Sequence, residues 1–285
     1  LKREILISGT SRETRVAILE DDRLVELLVD RPDARRMVGD IYLGTVEAVL
    51  PGIQAAFVNI GAEKSAFLHA SDLIASEDED EPPEPPEPPE PDEVNGGAGG
   101  TRAGTGAGAG AGAGNGARGG RRRLPNIADE LKRGETKIVQ VIKEPIGTKG
   151  PRVTAQISLA GRFLVYMPFA SKVGVSRKIE NREQRAKLRE LVSRLIPKDS
   201  GGWIIRTVAE DLSDESCKRE IDHLYGLWKK IKRKAGSVRA PALLQRETSL
   251  TRGITRDLFS AKVDSLLVDS KMLHNEIVQY LKQID

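Results

Sequence analysis

A single cysteine, Cys217, is all the thiol that 285 residues carry. It excludes an internal disulfide and a zinc site built from thiolates, and it predicts a reducing, cytoplasmic setting. Aromatic residues are scarce at 4%, with five Phe and two Trp, so the place of each ring is informative. No apolar run reaches the roughly 20 residues of a membrane-spanning helix, and no secretory signal pattern opens the chain. The histidines are His69, His223 and His274, without a His or Cys partner at metal-ligand spacing. Asp257, Asp264 and Asp269 are spaced as no metal pair would be, and neither a Walker loop nor a Ser-His-Asp set is present. The chain opens on Leu1 rather than Met, which fits a portion of a longer polypeptide.

What is there begins with charge. The net charge of +3 hides an asymmetry: residues 76–94 hold ten acids and no Lys or Arg, and residues 95–123 hold five Arg and no acid. That segment nets −5 and leaves about +8 on the remainder, a modest basic excess that suits a polyanionic partner. The segment 76–123 is of low complexity, a Pro-acidic spacer followed by a Gly-Ala coil. Neither half can bury enough apolar surface to offset its ordering entropy, so disorder is expected.

Around this insert the chain alternates as strands do. "EILIS" and "TRVAILEDDRLVELLVD", with a turn at Asp21-Asp22, predict strands in residues 1–30. "DIYLGTVEAVL", a type II turn at Pro51-Gly52, and two strands joined at Gly61-Ala62-Glu63-Lys64 predict a small antiparallel barrel. "TKIVQVIKE" and "RVTAQISLAG" resume it after the insert. Beyond, "RFLVYMP" and "GWIIRTVAE" read as strands. "REQRAKLRELVSRL" reads as a helix with Leu188, Leu191, Val192 and Leu195 on one stripe. A long helix is expected from about Ser213 to Ala235, then a strand at "SLLVDS" and a helix at "KMLHNEIVQYLKQI". Pairing of the tail with the strands of residues 1–30 would make everything between them an insertion.

Three groups of residues can carry a function. Alternation places Phe57 and Phe67 on one barrel face with Asn59, Ser65 and His69. Outward aromatics on a five-stranded barrel make a stacking platform for unpaired bases, and Lys64, Lys149 and Arg152 add phosphate contacts. The alternative is that another domain covers those rings. "GTKGP" presents Lys149 between glycines, either for close approach to a polyanion or as a simple turn. "VGVSRKIE" places Arg177 and Lys178 after small residues, as a phosphate-contacting loop or a solvated charge pair. "IIRTVAE" puts Arg206 in an apolar strand, with Thr207 on the opposite face. Such an Arg needs either a phosphate, which its fork matches, or a carboxylate such as Glu210.

The runs "GDIYLGTVEAVLPGIQAAFVNIGAEKSAFLHASDL", "KGPRVTAQISLAGRFLVYMP", "GVSRKIE" and "IIRTVAE" together resemble the amino-terminal part of the ribonuclease E/G family of endoribonucleases. The resemblance implies an α+β fold: an S1-type (OB-fold) barrel at 36–160, interrupted by the insert 76–123, and a small α/β 5′-sensor region at 161–214. Both would be inserted into a ribonuclease-H-like domain formed by 1–35 and 215–285. It implies RNA contacts at Phe57, Phe67 and Lys149. It implies recognition of a 5′ monophosphate at Gly161, Val165, Arg206 and Thr207, of which Gly161 and Val165 come from the resemblance alone. Where the family commonly has Arg, this chain has Lys178, which removes a bidentate contact.

The family's magnesium-binding aspartates and zinc-binding cysteine pair lie beyond Asp285, so this portion is expected to be inactive alone. The expected partner is single-stranded RNA with a 5′ monophosphate, in rRNA processing and mRNA decay, and the full-length protein is expected to be a cytoplasmic homo-oligomer. The competing expectation is a non-catalytic S1-domain RNA-binding or ribosome-associated protein.

Overall fold

The computed structural model describes residues 2–10, 12–31, 36–73, 126–209, 212–247, 250–258 and 263–284. The insert expected at 76–123 lies outside them, as does Glu210.

The chain opens with β1 (Arg3–Gly9), β2 (Thr14–Glu20) and β3 (Arg23–Asp30), then β4 (Ile41–Leu50), β5 (Ala55–Asn59) and β6 (Ala66–His69). After a short helix α1 (Ile127–Glu130) come β7 (Thr136–Lys143), β8 (Arg152–Thr154), β9 (Leu159–Ala160), β10 (Leu164–Met167) and β11 (Val173–Val175). Helix α2 (Arg182–Leu195), β12 (Gly202–Ile205) and helix α3 (Asp214–Ser237) follow. The last elements are β13 (Ala242–Gln245), α4 (Leu250–Leu258), β14 (Ser265–Val268) and α5 (Lys271–Ile284).

The first three strands form a meander, and β14 adds to β1 in parallel, with Ile5 opposite Leu266 and Ile7 opposite Val268. Asp21 and Asp22 both take positive φ, 48° and 63°. Two such residues give the mirror-image turn whose twist matches a hairpin. The inward residues Ile5, Ile7 and Val16 pack on Ile254 of α4 and on Leu273 and Ile277 of α5.

Strands β4, β5, β6, β8 and β7 pair in that order, and β4 returns to β7, closing a five-stranded barrel of the OB-fold type. Its interior is Val46, Ala56, Val58, Ala66, Leu68, Val139, Val141 and Val153, plugged by Ile127 and Leu131 beside α1. The turn after β4 differs from expectation. Pro51–Ile53 form one turn of 3-10 helix, and the left-handed residue is Gln54 (φ 49°), not Gly52. Gln54 tolerates this because its side chain donates to Pro51 O at 2.7 Å and accepts from Ile127 N–H at 3.1 Å.

The third sheet has the order β11-β12-β10-β9. One face, with Leu164, Tyr166, Trp203 and Ile205, packs on α2 and α3 in the largest core of the molecule. Helix α2 buries Leu188 and Val192 of its expected stripe. Helix α3 buries Ile221, Leu224, Trp228 and Ile231, with Tyr225 half-buried. Ser213 caps α3 by accepting the Ser216 N–H at 3.2 Å, satisfying a donor the first turn leaves orphaned. Among the described residues, helix α1 and strand β11 lie where the sequence reading places no such element, and two later elements do as well. Strand β13 is four residues long and pairs antiparallel with β4 across a bulge. Helix α4 is short, nine residues with Gly253 near its centre, although Leu250 and Ile254 recur at helical spacing.

Candidate functional site

Two arrangements bring the singled-out residues together. On the barrel, Phe57 and Phe67 are direct cross-strand partners on the outer face. Both are half-buried, and neither belongs to the barrel core. Their rings meet edge to face with centroids 6.2 Å apart, and His69 stacks on Phe67 at 6.5 Å. His69 Nδ1 also accepts the Ser71 N–H at 3.2 Å, which fixes the imidazole at the edge of this ladder. The result is a row of three half-buried rings on the outer face of the barrel.

Lys64 and Lys149 flank the row because their loops interlock. A Cβ at Gly150 would sit 2.1 Å from Ser65 O, so only Gly lets the two loops approach. Both lysines are exposed and without an ion-pair partner among the described residues. Arg152 differs from them. It donates through Nε (3.2 Å) and Nη2 (2.9 Å) to Asp72 Oδ2, so its charge is engaged within the barrel.

The second arrangement is at one end of the third sheet, where β11 and β12 finish and β10 begins. Gly161 closes a tight turn into β10, its N–H donating to Leu164 O at 2.8 Å. Arg206 is the first residue beyond β12, not a strand residue, and Thr207–Ala209 turn away as 3-10 helix. The expected two-face alternation therefore stops at Ile205. The Arg206 N–H donates to Phe163 O at 2.8 Å, and its Nη1 donates to Gly161 O at 2.8 Å.

Among the described residues the carboxylate partner of Arg206 is Asp257 on α4, with Nη1 to Oδ1 at 2.6 Å; the carboxylate suggested from sequence, Glu210, lies outside the described residues. Nη1 carries every side-chain contact of Arg206, so Nε and Nη2 have no protein partner among the described residues. Thr207 beside them is exposed. Arg177 and Lys178 leave the same sheet end, since the Ser176 N–H donates to Ile205 O at 2.8 Å. Both are exposed, while Ile179 is buried and Arg185 Nη1 ties Ser176 O and Ile179 O to α2. Val165 is 1% exposed and packs with Met167 and Ile204, so its side chain supports the strand pair behind the turn.

The electrostatics of this end are set by two carboxylates. Burial works against charge on Asp257, but the hydrogen bond and charge of Arg256, with those of Arg206, outweigh it and hold the carboxyl below its ordinary range. Glu220 on α3 is the reverse. Burial pushes it up to about 7 against the opposing pull of backbone N–H groups at Arg162, Phe163 and Leu164 and the charge of Arg206. Neither carboxylate was assigned this role from sequence. Glu220 had a signal: an acid on the same helical stripe as Cys217, Ile221 and Leu224, where ionisable residues are rare unless partnered. Among the described residues, no cluster of three His, Cys, Asp or Glu gathers to hold a metal.

Comparison with known proteins follows from these features. Residues 158–285 match the model of the Ribonuclease E/G family. Ribonuclease G of Haemophilus influenzae is 34% identical over 280 residues, covering 97% of this chain and 49% of that protein. Ribonuclease G of Escherichia coli is 33% identical over 286 residues, covering 98% and 50%. Ribonuclease E of Nostoc is 35% identical over 268 residues, covering 93% and 32%. The chain spans about half the length of the ribonuclease G relatives it matches, and less of ribonuclease E.

Proposed function

The chain belongs to the ribonuclease E/G family, and from that premise we propose that it is the RNA-binding and 5′-end-sensing portion of a single-strand-specific endoribonuclease. The observation that carries the reading is the Arg206 guanidinium, held by one nitrogen while the other two have no protein partner among the described residues, next in sequence to the exposed Thr207. A terminal phosphate monoester fits that edge, because the guanidinium fork matches two phosphate oxygens at once and the hydroxyl adds a donor. Gly161 and Val165 contribute the turn and the strand that hold the fork in place. Arg177 and Lys178 extend positive charge along the strand leaving the pocket.

The ring row of Phe57 and Phe67 then receives bases further along, and Lys64 and Lys149 hold their phosphates. Stacking contributes about 1–3 kcal/mol per base and is blind to sequence, while a duplex keeps its bases hidden. The barrel acts on this reading as an S1-type domain. The sheet of β1, β2, β3 and β14 with α4 and α5 acts as the ribonuclease-H-like part.

In the full-length protein two further aspartates would hold magnesium, which would supply an activated water and neutralise developing charge. A cysteine pair would hold zinc in a cytoplasmic homo-oligomer. On this reading the residues described here bind and orient the strand. Fluorescence anisotropy with a short RNA, single-stranded and as its duplex, tests the reading. Tight binding of the single strand and weak binding of the duplex support it, and equal binding of both would refute it.

A further inference from the structure

Glu220 is 6% exposed on the inner stripe of α3. Among the described residues no Lys or Arg side chain hydrogen-bonds it. Its carboxylate accepts the Arg162 N–H at 2.5 Å and the Phe163 N–H at 2.9 Å. The carbonyls of those same two peptide units point the other way, to Arg206. Nη1 donates to Gly161 O at 2.8 Å and to Arg162 O at 3.4 Å. Two consecutive peptide groups are thus clamped between a carboxylate on the N–H side and a guanidinium on the C=O side. Hydrogen bonds in such a chain polarise one another, so negative charge at Glu220 makes both carbonyls better acceptors for Arg206. The clamp also explains residue 161: a Cβ there would lie 2.5 Å from Glu220 Oε1.

We infer that Glu220 is a positioning residue for 5′-end recognition: through the peptide units 161–162 and 162–163 its charge fixes Arg206 by Nη1 and keeps Nε and Nη2 turned toward the phosphate. The inference rests on the proposed reading of Arg206 as the phosphate ligand.

Charged and titratable groups surround Glu220 on every side. Cys217, Arg219 and His223 lie on its own helix, and Arg162 and Arg206 stand in the turns at the end of the third sheet. Arg246 and Glu247 follow β13, Arg256 and Asp257 stand on α4, and Tyr280 stands on α5. Burial pushes Cys217 up to about 12 and raises Tyr280, and it lowers His223, so all three are neutral near pH 7. Asp257 is held low, and Arg256 is raised by Asp257 and Glu247 despite burial, so that pair stays charged. Glu220, pushed up to about 7 by burial, changes its charge between pH 6 and 8, and His223 is the same in parent and variant.

The test compares affinities of the 285-residue chain for the same short RNA bearing a 5′ monophosphate or a 5′ hydroxyl, at pH 6 and pH 8. The phosphate's own second ionisation, near pH 6, affects parent and variant alike. For Glu220→Gln the 5′-monophosphate preference is expected to fall about threefold or more at pH 8. It should converge on the parent at pH 6, where the parent is itself protonated. A merely structural role would lower both affinities together at both pH values. Gly161→Ala, whose Cβ displaces the carboxylate, should lose preference and flatten its pH profile independently. A parent chain with no 5′ preference overturns the reading of Arg206, and this inference with it. A parent with preference, matched at pH 8 by Glu220→Gln, or a Gly161→Ala variant with the parent's profile, overturns the inference alone.

Discussion

Asp257 holds Arg206 by one nitrogen: Oδ1 lies 2.6 Å from Nη1, and the rest of the guanidinium is left without a protein partner among the described residues. The carboxylate therefore both aims the fork and lowers the local positive potential. Asp257→Asn should separate these effects. Removing its charge leaves Arg206 and Arg256 less neutralised, so affinity for RNA with a 5′ hydroxyl should hold or rise. With the fork unanchored, the preference for a 5′ monophosphate should fall severalfold. Filter binding with both RNAs checks this, and a uniform loss of affinity would contradict it.

Phe57→Ala removes one ring of an edge-to-face pair that stands outside the barrel core. Single-stranded RNA should bind about 1–3 kcal/mol more weakly. The barrel interior, built from Val46, Val58, Leu68 and their neighbours, is untouched, so the melting temperature should move little. Anisotropy and thermal unfolding on the same sample measure both.

Lys64 and Lys149 have no ion-pair partner among the described residues, whereas Arg152 is engaged by Asp72. Each lysine that contacts a phosphate contributes roughly 0.7 to the slope of log affinity against log salt for a single strand. Lys149→Ala should lower that slope by about this amount, and Arg152→Ala should lower it less while destabilising the barrel.

Stability should also depend on pH through Glu220. Its carboxyl ionises near 4.5 when unfolded and near 7 in the fold, because burial disfavours the charge. A raised folded value means stability that is fully present below about 4.5 and lost as pH rises through about 7. Relative to Glu220→Gln, the parent should lose up to ~3 kcal/mol across that window. Urea unfolding at pH 5 and pH 8 gives the difference, and a parallel pH dependence in the two proteins would contradict it.

The legible parts of the molecule are those governed by local pattern. The Phe57 and Phe67 face followed from strict alternation, since a strand turns successive side chains to opposite sides. The α3 stripe followed from helical spacing, and the Asp21-Asp22 hairpin from turn chemistry. What stayed hidden depends on contacts between distant residues. Arg206 meets Asp257, 51 positions away, a pairing that no local rule reveals. Glu220 meets Arg162, 58 positions away, and only its place on an apolar stripe hinted at a buried role. Strand β13 escaped because four residues carry too little alternation to be read, and its pairing depends on the start of β4, Ile41–Leu43, which β5 leaves unpaired. The left-handed residue Gln54 escaped because Pro51-Gly52 offered a simpler turn, which the side-chain bonds of Gln54 override.

The central claim, that Arg206 reads the 5′ end of a single strand, is tested most directly by one ratio. It is the affinity of the chain for a short single-stranded RNA with a 5′ monophosphate over that for the same RNA with a 5′ hydroxyl, measured for the parent and for Arg206→Ala. The account predicts a ratio well above one in the parent that drops to about one in Arg206→Ala, with 5′-hydroxyl binding still supported by Phe57, Phe67, Lys64 and Lys149. A ratio of one in the parent, or an undiminished ratio in Arg206→Ala, would contradict it.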